Sequence, residues 1–383
     1  LRSKPGNLKT ILLNNVKDSK FKINSELKFD KNLQLTKESS LRGIVKETAI
    51  NFNKMYPIRD TSFNFVYSVE VESTNNKKLE LWIPIPKSSE VQAISNLVID
   101  ADDLNYTIED EEKFGNKYLY INHPKGTKDS KVVNVSFDVL RKEHSNVNYS
   151  DVNSDIYLSS TSMIPVGGVF NKIVKENNLN KNDMKGVYEY VLNGMHYGKP
   201  KSVDNIYYKD PWLTSDGEYG MKKVSRDEVV SLYKYAKSTK GNYTFGNGNS
   251  MYACDIGVGN CTDYHSYFIS LSRTMGVPAR FHMGFPIPSG DEGIVKGYHC
   301  WADYYIDGKG WYPVDISEAD KDPSTIDYYF GTIGESRVEM MVGRDFELDG
   351  YGSNPANLFV YPLLEIDDKK SKNFKKKFTY RNL

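Results

Sequence analysis

Three stretches of strict alternation stand out early in the chain. Phe63, Phe65, Tyr67, Val69 and Val71 alternate with other residues, as do Leu79, Leu81, Ile83 and Ile85, and later Val133, Val135, Phe137 and Val139. Successive side chains of a strand point to opposite faces, so each run predicts a strand with a buried face. Asn-rich and Gly-containing turns separate the runs, and residues 61–145 read as a small antiparallel β-sandwich. Pro84 and Pro86 place the end of the second run at a sheet edge, because proline cannot donate to a ladder. From Asp183 onward the period changes. Met184, Val187, Tyr188, Val191 and Leu192 recur at helical spacing, with Asn182 or Asp183 to cap the start and Gly194 to end it. A capping box, Ser225 with Glu228, opens a helix carrying Val229, Leu232, Tyr233 and Ala236. A third helix buries Phe268, Leu271 and Met275; Asn260 caps it and Gly276 stops it. Residues 298–306 and 311–315 then read as two strands joined by a Gly-containing turn. Before residue 61 the chain is polar and Lys/Asn-rich, with one helix over 41–52.

These elements place three reactive side chains. Cys261 falls in the first turn of its helix, where free amides and the helix dipole favour an anion and raise the thiolate fraction. His299, Trp301, Asp303 and Tyr305 share one face of their strand. If Ile306 pairs with Gly310, Trp301 lies opposite Asp315, and His299 is the diagonal neighbour of that carboxylate. A register shifted by one residue would put Asp315 on the far side. In the expected register, the three residues supply a cysteine nucleophile, its base and the group that orients the base.

The motifs around them resemble the transglutaminase-like superfamily. They are Gly259-Asn260-Cys261-Thr262-Asp263, the run from Arg273 to Arg280, His299-Cys300-Trp301-Ala302, and Gly310-Trp311-Tyr312-Pro313-Val314-Asp315. The likeness continues through Tyr329-Phe330-Gly331, Gly343-Arg344-Asp345 and Asn357 to Tyr361-Pro362, resembling a bacterial subgroup, and spans about residues 180–383. The resemblance implies an α+β, papain-like core in which the Cys helix packs on an antiparallel sheet. Its boundaries are read as residues 181–320, after a linker and entry at 146–180 and before a β-rich extension at 321–383. It also implies that Cys261 is the nucleophile, His299 the general base and acid, and Asp315 the orienting carboxylate. The product would be a thioester from an amide or peptide substrate, resolved by water in a peptidase or amidase, or by an amine in a transglutaminase. Hydrolysis is favoured, since no stretch looks like a dedicated amine-acceptor groove. The rival reading is a catalytically silent binding module on the same fold. No Gln precedes Cys261 to complete an oxyanion hole; Trp212, Tyr252 and Asn249 are the candidate donors beside the Cys261 amide. Trp301, Asn260 and His265, one helical turn beyond the cysteine, are candidates to line the cleft.

Composition narrows the class further. The 50 basic and 50 acidic side chains cancel, so no global field argues for nucleic acid. No run of about eighteen apolar residues is present to span a bilayer. The chain opens at Leu1, as a mature or truncated protein would, and an exported location (periplasmic, lipoprotein or secreted) is favoured. Of three cysteines, Cys254 and Cys300 are read as packed thiols, with a Cys254–Cys300 disulfide as the alternative. Neither Cys-x-x-Cys nor His-x-x-x-His occurs, so no metal and no cofactor are expected. The acidic run from Glu109 to Glu112 reads as a solvated turn, and the Lys-rich run from Lys369 to Lys377 as an exposed turn and a charged edge strand. Arg337 and Arg344 are expected to form ion pairs within the core. The expected partner is a protein or peptide substrate.

Overall fold

The alternating runs are strands in a computed structural model that describes residues 59–145, 155–198 and 243–383. The helix expected over 41–52, Trp212 and the helix opened by Ser225 lie outside the described residues. Residues Thr61–Leu383 form one unit. Two five-stranded antiparallel sheets occupy its sheet-rich N-terminal region. The first runs in the order Glu292–Ile294, Phe374–Asn382, Asp60–Val71, Lys131–Lys142, Gln92–Asp100. The second runs Lys369–Lys370, Leu363–Ile366, Leu79–Ile85, Asn116–His123, Thr107–Glu111. Alternation appears as burial in the first strand, where Phe63, Phe65, Tyr67, Val69 and Val71 are all inside. Phe65 stacks on Phe137 at 5.5 Å and meets Phe285 of the central sheet at 5.4 Å. Each such buried side chain contributes about 1.5–3 kcal/mol over its exposed state.

Three expectations change here. Leu79–Ile85 is an interior strand, and only its last three residues lie at an edge, on one side. Its partner Leu363–Ile366 pairs only with Leu79 to Trp82, so Pro84 lies past that partner's end and its missing N–H breaks no ladder on that side. The closing strand Phe374–Asn382, expected to extend the core, returns instead to pair with Asp60–Val71, from Phe63 opposite Asn382 to Val71 opposite Phe374. The acidic run is mostly strand, and Glu111 is buried, its carboxylate accepting from the amides of Lys113 and Phe114 and from Asn116 Nδ2.

A four-stranded antiparallel sheet forms the centre, in the order Gly310–Val314, His299–Ile306, Ala279–Pro286, Arg337–Val342. The helix Cys261–Thr274 covers one face, with Phe268 edge-on to Tyr304 at 6.0 Å. Helices Val169–Glu176, Met184–Gly194 and Ser250–Ile256 pack around it. Every residue from Cys261 to Arg273 is therefore buried, although the apolar period marked only one face. Its polar residues satisfy themselves: Ser266 donates to the Thr262 carbonyl, Ser272 to that of Phe268, and Ser270 to Ser250 Oγ. Gly276, at φ +79°, ends the helix, and the Val277 amide returns to the Ser272 carbonyl at 2.9 Å. Among the described residues no helix is long and apolar enough to cross a membrane.

Candidate active site

Local chemistry places the thiol. Asn260 caps the helix in extended backbone, its side chain accepting from the Thr262 amide at 2.9 Å. Asp263 closes the capping box by accepting from the Asn260 amide at 3.1 Å, and takes the Gly246 and Gly248 amides at 2.9 and 3.0 Å. A side chain at Gly259 would lie 2.6 Å from the Asp263 Cβ, so only glycine lets the chain approach this cap. Cys261 is thus the first helical residue, and among the described residues its amide donates to no partner. That amide is free to meet an oxyanion.

The hairpin has the register that the triad needs. Ile306 pairs with Gly310 and Ala302 with Val314, so the next step sets Trp301 opposite Asp315. His299 Nε2 lies 2.7 Å from Asp315 Oδ2, and the His299 charge acts on the Cys261 thiol. With Nε2 facing the carboxylate, Nδ1 is the nitrogen left for the thiol. Asp315 caps the short helix Ile316–Lys321 and accepts from Arg337 Nη1 at 3.0 Å, Ser317 Oγ at 3.1 Å and the Glu318 amide at 3.3 Å. Burial pushes its carboxyl up, but the His299 and Arg337 charges overrule that and hold it well below the usual range. Burial opposes the His299 charge as well, yet Asp315 and Cys261 raise its pKa to about 10. The Cys261 thiol is held well below its ordinary value, chiefly by a hydrogen bond from Cys300; burial opposes this and His299 adds to it. Both shifts favour the charged forms, a thiolate beside an imidazolium.

This pair sets a pH dependence. The thiolate forms below the ordinary thiol range, and His299 keeps its proton until about pH 10. Turnover is expected to be flat through neutral pH and to fall on the alkaline side near pH 10, where the proton for the leaving group is lost. The raised imidazole stabilises the fold fully below its unfolded value of about 6.5 and loses that contribution as pH rises through the folded value. A pH–rate profile checks this; an alkaline limb near neutrality would contradict it.

Residues 214–316, which contain all three of these side chains, match the transglutaminase-like superfamily. The chain carries a transglutaminase-like domain. An uncharacterized protein of Haemophilus influenzae is 25% identical over 366 residues, covering 83% of this chain and 89% of that one. A crystal structure of a candidate cysteine protease from Cytophaga hutchinsonii superposes with a TM-score of 0.50 at 12% identity, covering 85% of this chain and 93% of that one, so the fold is shared. The periplasmic domain of TgpA from Pseudomonas aeruginosa aligns more loosely, with a TM-score of 0.27 at 11% identity over 70% of this chain and 90% of that one.

Several other residues singled out from the sequence take places different from those expected. His265 does not line a cleft: it is fully buried, its Nδ1 bonded to the Cys261 carbonyl at 2.7 Å and its Nε2 accepting from the Ile316 amide at 3.0 Å. Those bonds fix a neutral tautomer, burial lowers its pKa to about 4, and the ring ties the Cys261 helix to the residue after Asp315. Trp301 is 1% exposed and lies beneath the site, parallel to His282 at 5.7 Å and with Arg337 at 4.9 Å. His282 is held between Asp303 and Glu339 at 3.0 and 2.8 Å, a structural role. Asn249 caps the helix Ser250–Ile256, its oxygen accepting from the amides of Met251 and Tyr252, and Tyr252 is wholly buried; Trp212 lies outside the described residues. Arg337 forms the expected ion pair, whereas Arg344 binds carbonyls and side-chain oxygens of neutral residues. Among the described residues Cys254, Cys261 and Cys300 form no disulfide, and the charge that acts on Cys300 is that of Cys261 rather than Cys254. One atom each from His299, Asp315 and Glu318 lie within 4.8 Å of one another, but His299 and Asp315 bond each other and Glu318 Oε1 pairs with Lys321 Nζ at 2.6 Å, and we assign no metal there.

Sequence reasoning missed Tyr197. The strand His196–Tyr197 runs parallel to Val258–Gly259, with Tyr197 opposite Gly259, two residues before Cys261. The Asp320 carboxylate accepts its amide at 2.8 Å, and Lys321 Nζ sits 4.1 Å over its ring. Burial, then the neighbouring Cys261, push the Tyr197 phenol up, so it stays a protonated donor. A two-residue ladder leaves no periodic signal.

Proposed function

We propose that this chain is a cysteine-dependent acyl-transfer enzyme acting on an amide or peptide bond, with water as the favoured acceptor. The observation that carries the reading is Cys261 at the first position of its helix together with His299, which lies 2.7 Å from the Asp315 carboxylate and whose charge acts on the Cys261 thiol. The Cys261 thiolate attacks the carbonyl carbon, and the Cys261 amide takes the developing oxyanion. His299 Nδ1–H passes its proton to the leaving nitrogen, the C–N bond breaks and a thioester remains. Neutral His299 then takes a proton from water as its oxygen attacks the thioester. The C–S bond breaks, returning the thiolate and the imidazolium. Asp315 and Arg337 hold the ring through both halves. Export belongs to the same proposal.

Tyr197 is the donor we place beside the Cys261 amide. Tyr197→Phe should lower kcat by roughly 10²-fold with little change in KM, as loss of one oxyanion donor does. Steady-state kinetics checks it, and an unchanged kcat would remove Tyr197 from the mechanism.

The substrate test is incubation with a glutamine-containing peptide library, with and without a primary amine, read by mass spectrometry. Cleaved or deamidated peptides are expected from wild type and none from Cys261→Ala. Peptides that gain the amine mass would assign transamidation instead. An unchanged library together with an unreactive Cys261 would favour the silent binding module.

A further inference from the structure

The central sheet carries charge on the face turned away from the Cys261 helix. Arg280 pairs with Asp303, His282 with Trp301, and Tyr305 with Trp311, so these side chains share one face. Tyr304, on the other face, meets Phe268 of the helix. Between the charged face and the turn 87–91, which follows the strand Leu79–Ile85, lies a cavity of about 670 Å³, the size of a small-molecule site. Aromatic rings form one wall: Trp311 meets Tyr157 edge-on at 5.4 Å, and Phe114 lies 6.1 Å from Tyr157.

The cations of this cluster line the cavity, while one of their counter-charges lies behind them. Arg280 stacks its guanidinium on Trp311 at 3.8 Å and donates through Nε to Asp303 at 2.9 Å. Its side chain is 16% exposed, whereas Asp303 is fully buried and does not reach the cavity. His282, with carboxylates 3.0 and 2.8 Å from its two ring nitrogens, is an imidazolium. From the turn, Lys87 Nζ donates to the Gly115 and Phe114 carbonyls at 2.7 and 3.3 Å, and among the described residues it pairs with no acid. Burial lowers its pKa, a shift that a bound anion would reverse. Ser89 Oγ is buried and has no hydrogen-bond partner among the described residues.

We propose that this cavity binds a small aromatic monocarboxylate, its acid group meeting Lys87, Arg280 and the Ser89 hydroxyl and its ring packing on the wall of Trp311, Tyr157 and Phe114. The charge of the ligand is limited by the acids that also line the space. Glu339, bonded to His282, and the exposed Glu90 oppose a second negative charge, so a carboxylate fits where a phosphate dianion is repelled. A carboxylate also gains charge-assisted bonds that the matching amide lacks. The inference does not depend on the role of Cys261.

The experiment is a ligand-observed NMR titration of the full chain with phenylpropionate, phenylpropionamide and phenyl phosphate. Phenylpropionate should saturate the protein below about 10 mM. It should bind about tenfold tighter than the amide or the phosphate. Lys87→Gln should weaken phenylpropionate about tenfold, and Ser89→Tyr, which fills the cavity, should abolish its binding. Lys321→Gln, whose lysine lies over Tyr197 beside the candidate triad, should leave it unchanged. Absence of saturation, equal binding of the amide or the phosphate, or a loss in Lys321→Gln with none in Lys87→Gln would overturn the proposal. If Lys87→Gln fails to fold by circular dichroism, Ser89→Tyr decides: lost binding supports the site and retained binding overturns it. The peptide-library assay tests the proposed function separately, so either reading can fail alone.

Discussion

Asp315→Asn is expected to lower kcat by about 10⁴-fold while KM changes little, the size of loss seen when an orienting carboxylate becomes an amide. Asp315 Oδ2 faces His299 Nε2 at 2.7 Å and accepts from Arg337 at 3.0 Å. An asparagine oxygen can still accept there, but it brings no charge, and its NH2 would replace the Oδ1 that accepts from Ser317 Oγ and the Glu318 amide. The His299 pKa, about 10 in the intact site, should fall towards its ordinary value, and the Cys261 pKa should rise as its cation weakens. Two readouts should therefore move together: turnover, and alkylation of Cys261 at neutral pH. A loss of less than about tenfold in kcat would show that another group orients the base. Glu318, 3.8 Å from His299 Nε2, would be that group.

Arg344→Leu is expected to destabilise the protein by about 3–5 kcal/mol, without removing any group from the triad. The guanidinium is 1% exposed and reaches Ser266 Oγ at 2.8 Å, the Asn247 and Gly248 carbonyls at 2.9 and 3.3 Å, and the Asn357 carbonyl at 3.0 Å. Leucine fills some of the volume and satisfies none of these acceptors. Gly248 also gives its amide to Asp263, the residue that caps the nucleophile helix, so the damage should spread to the setting of Cys261. Chemical denaturation measures the effect. A loss below about 1 kcal/mol would show that the segment finds other donors.

The helix start at Cys261 and the placing of Asp315 beside His299 could be read from residue types and parity because each step was local. Asn260 and Gly276 bound one helix, and a tight hairpin sets the register that puts Asp315 diagonal to His299. What sequence left open depended on contacts between distant segments. The pairing of Phe374–Asn382 with Asp60–Val71 joins the two ends of a long chain, and alternation marks strands without naming their partners. His265 shares a helix face with Cys261, which suggested a contact with the thiol. Its ring instead spans to Ile316, a reach that no spacing reveals. Cys300 looked like a spare thiol or half of a disulfide with Cys254. Its meaning depends on which side of the strand faces the Cys261 helix, and that follows only once the sheet and helix are docked. Tyr197 sits in a two-residue ladder and Arg337 on a strand buried throughout, where no period distinguishes one face from the other.

The most direct test of the account is to trap the acyl-enzyme. The protein would be mixed with an activated ester of a short peptide, quenched in acid, and analysed by intact-mass and peptide-mapping spectrometry. The account predicts a transient adduct of the acyl mass on Cys261, absent from Cys261→Ala and persisting longer in Asp315→Asn. Release of product by Cys261→Ala at the wild-type rate, or an acyl group mapped to any other residue, would contradict it.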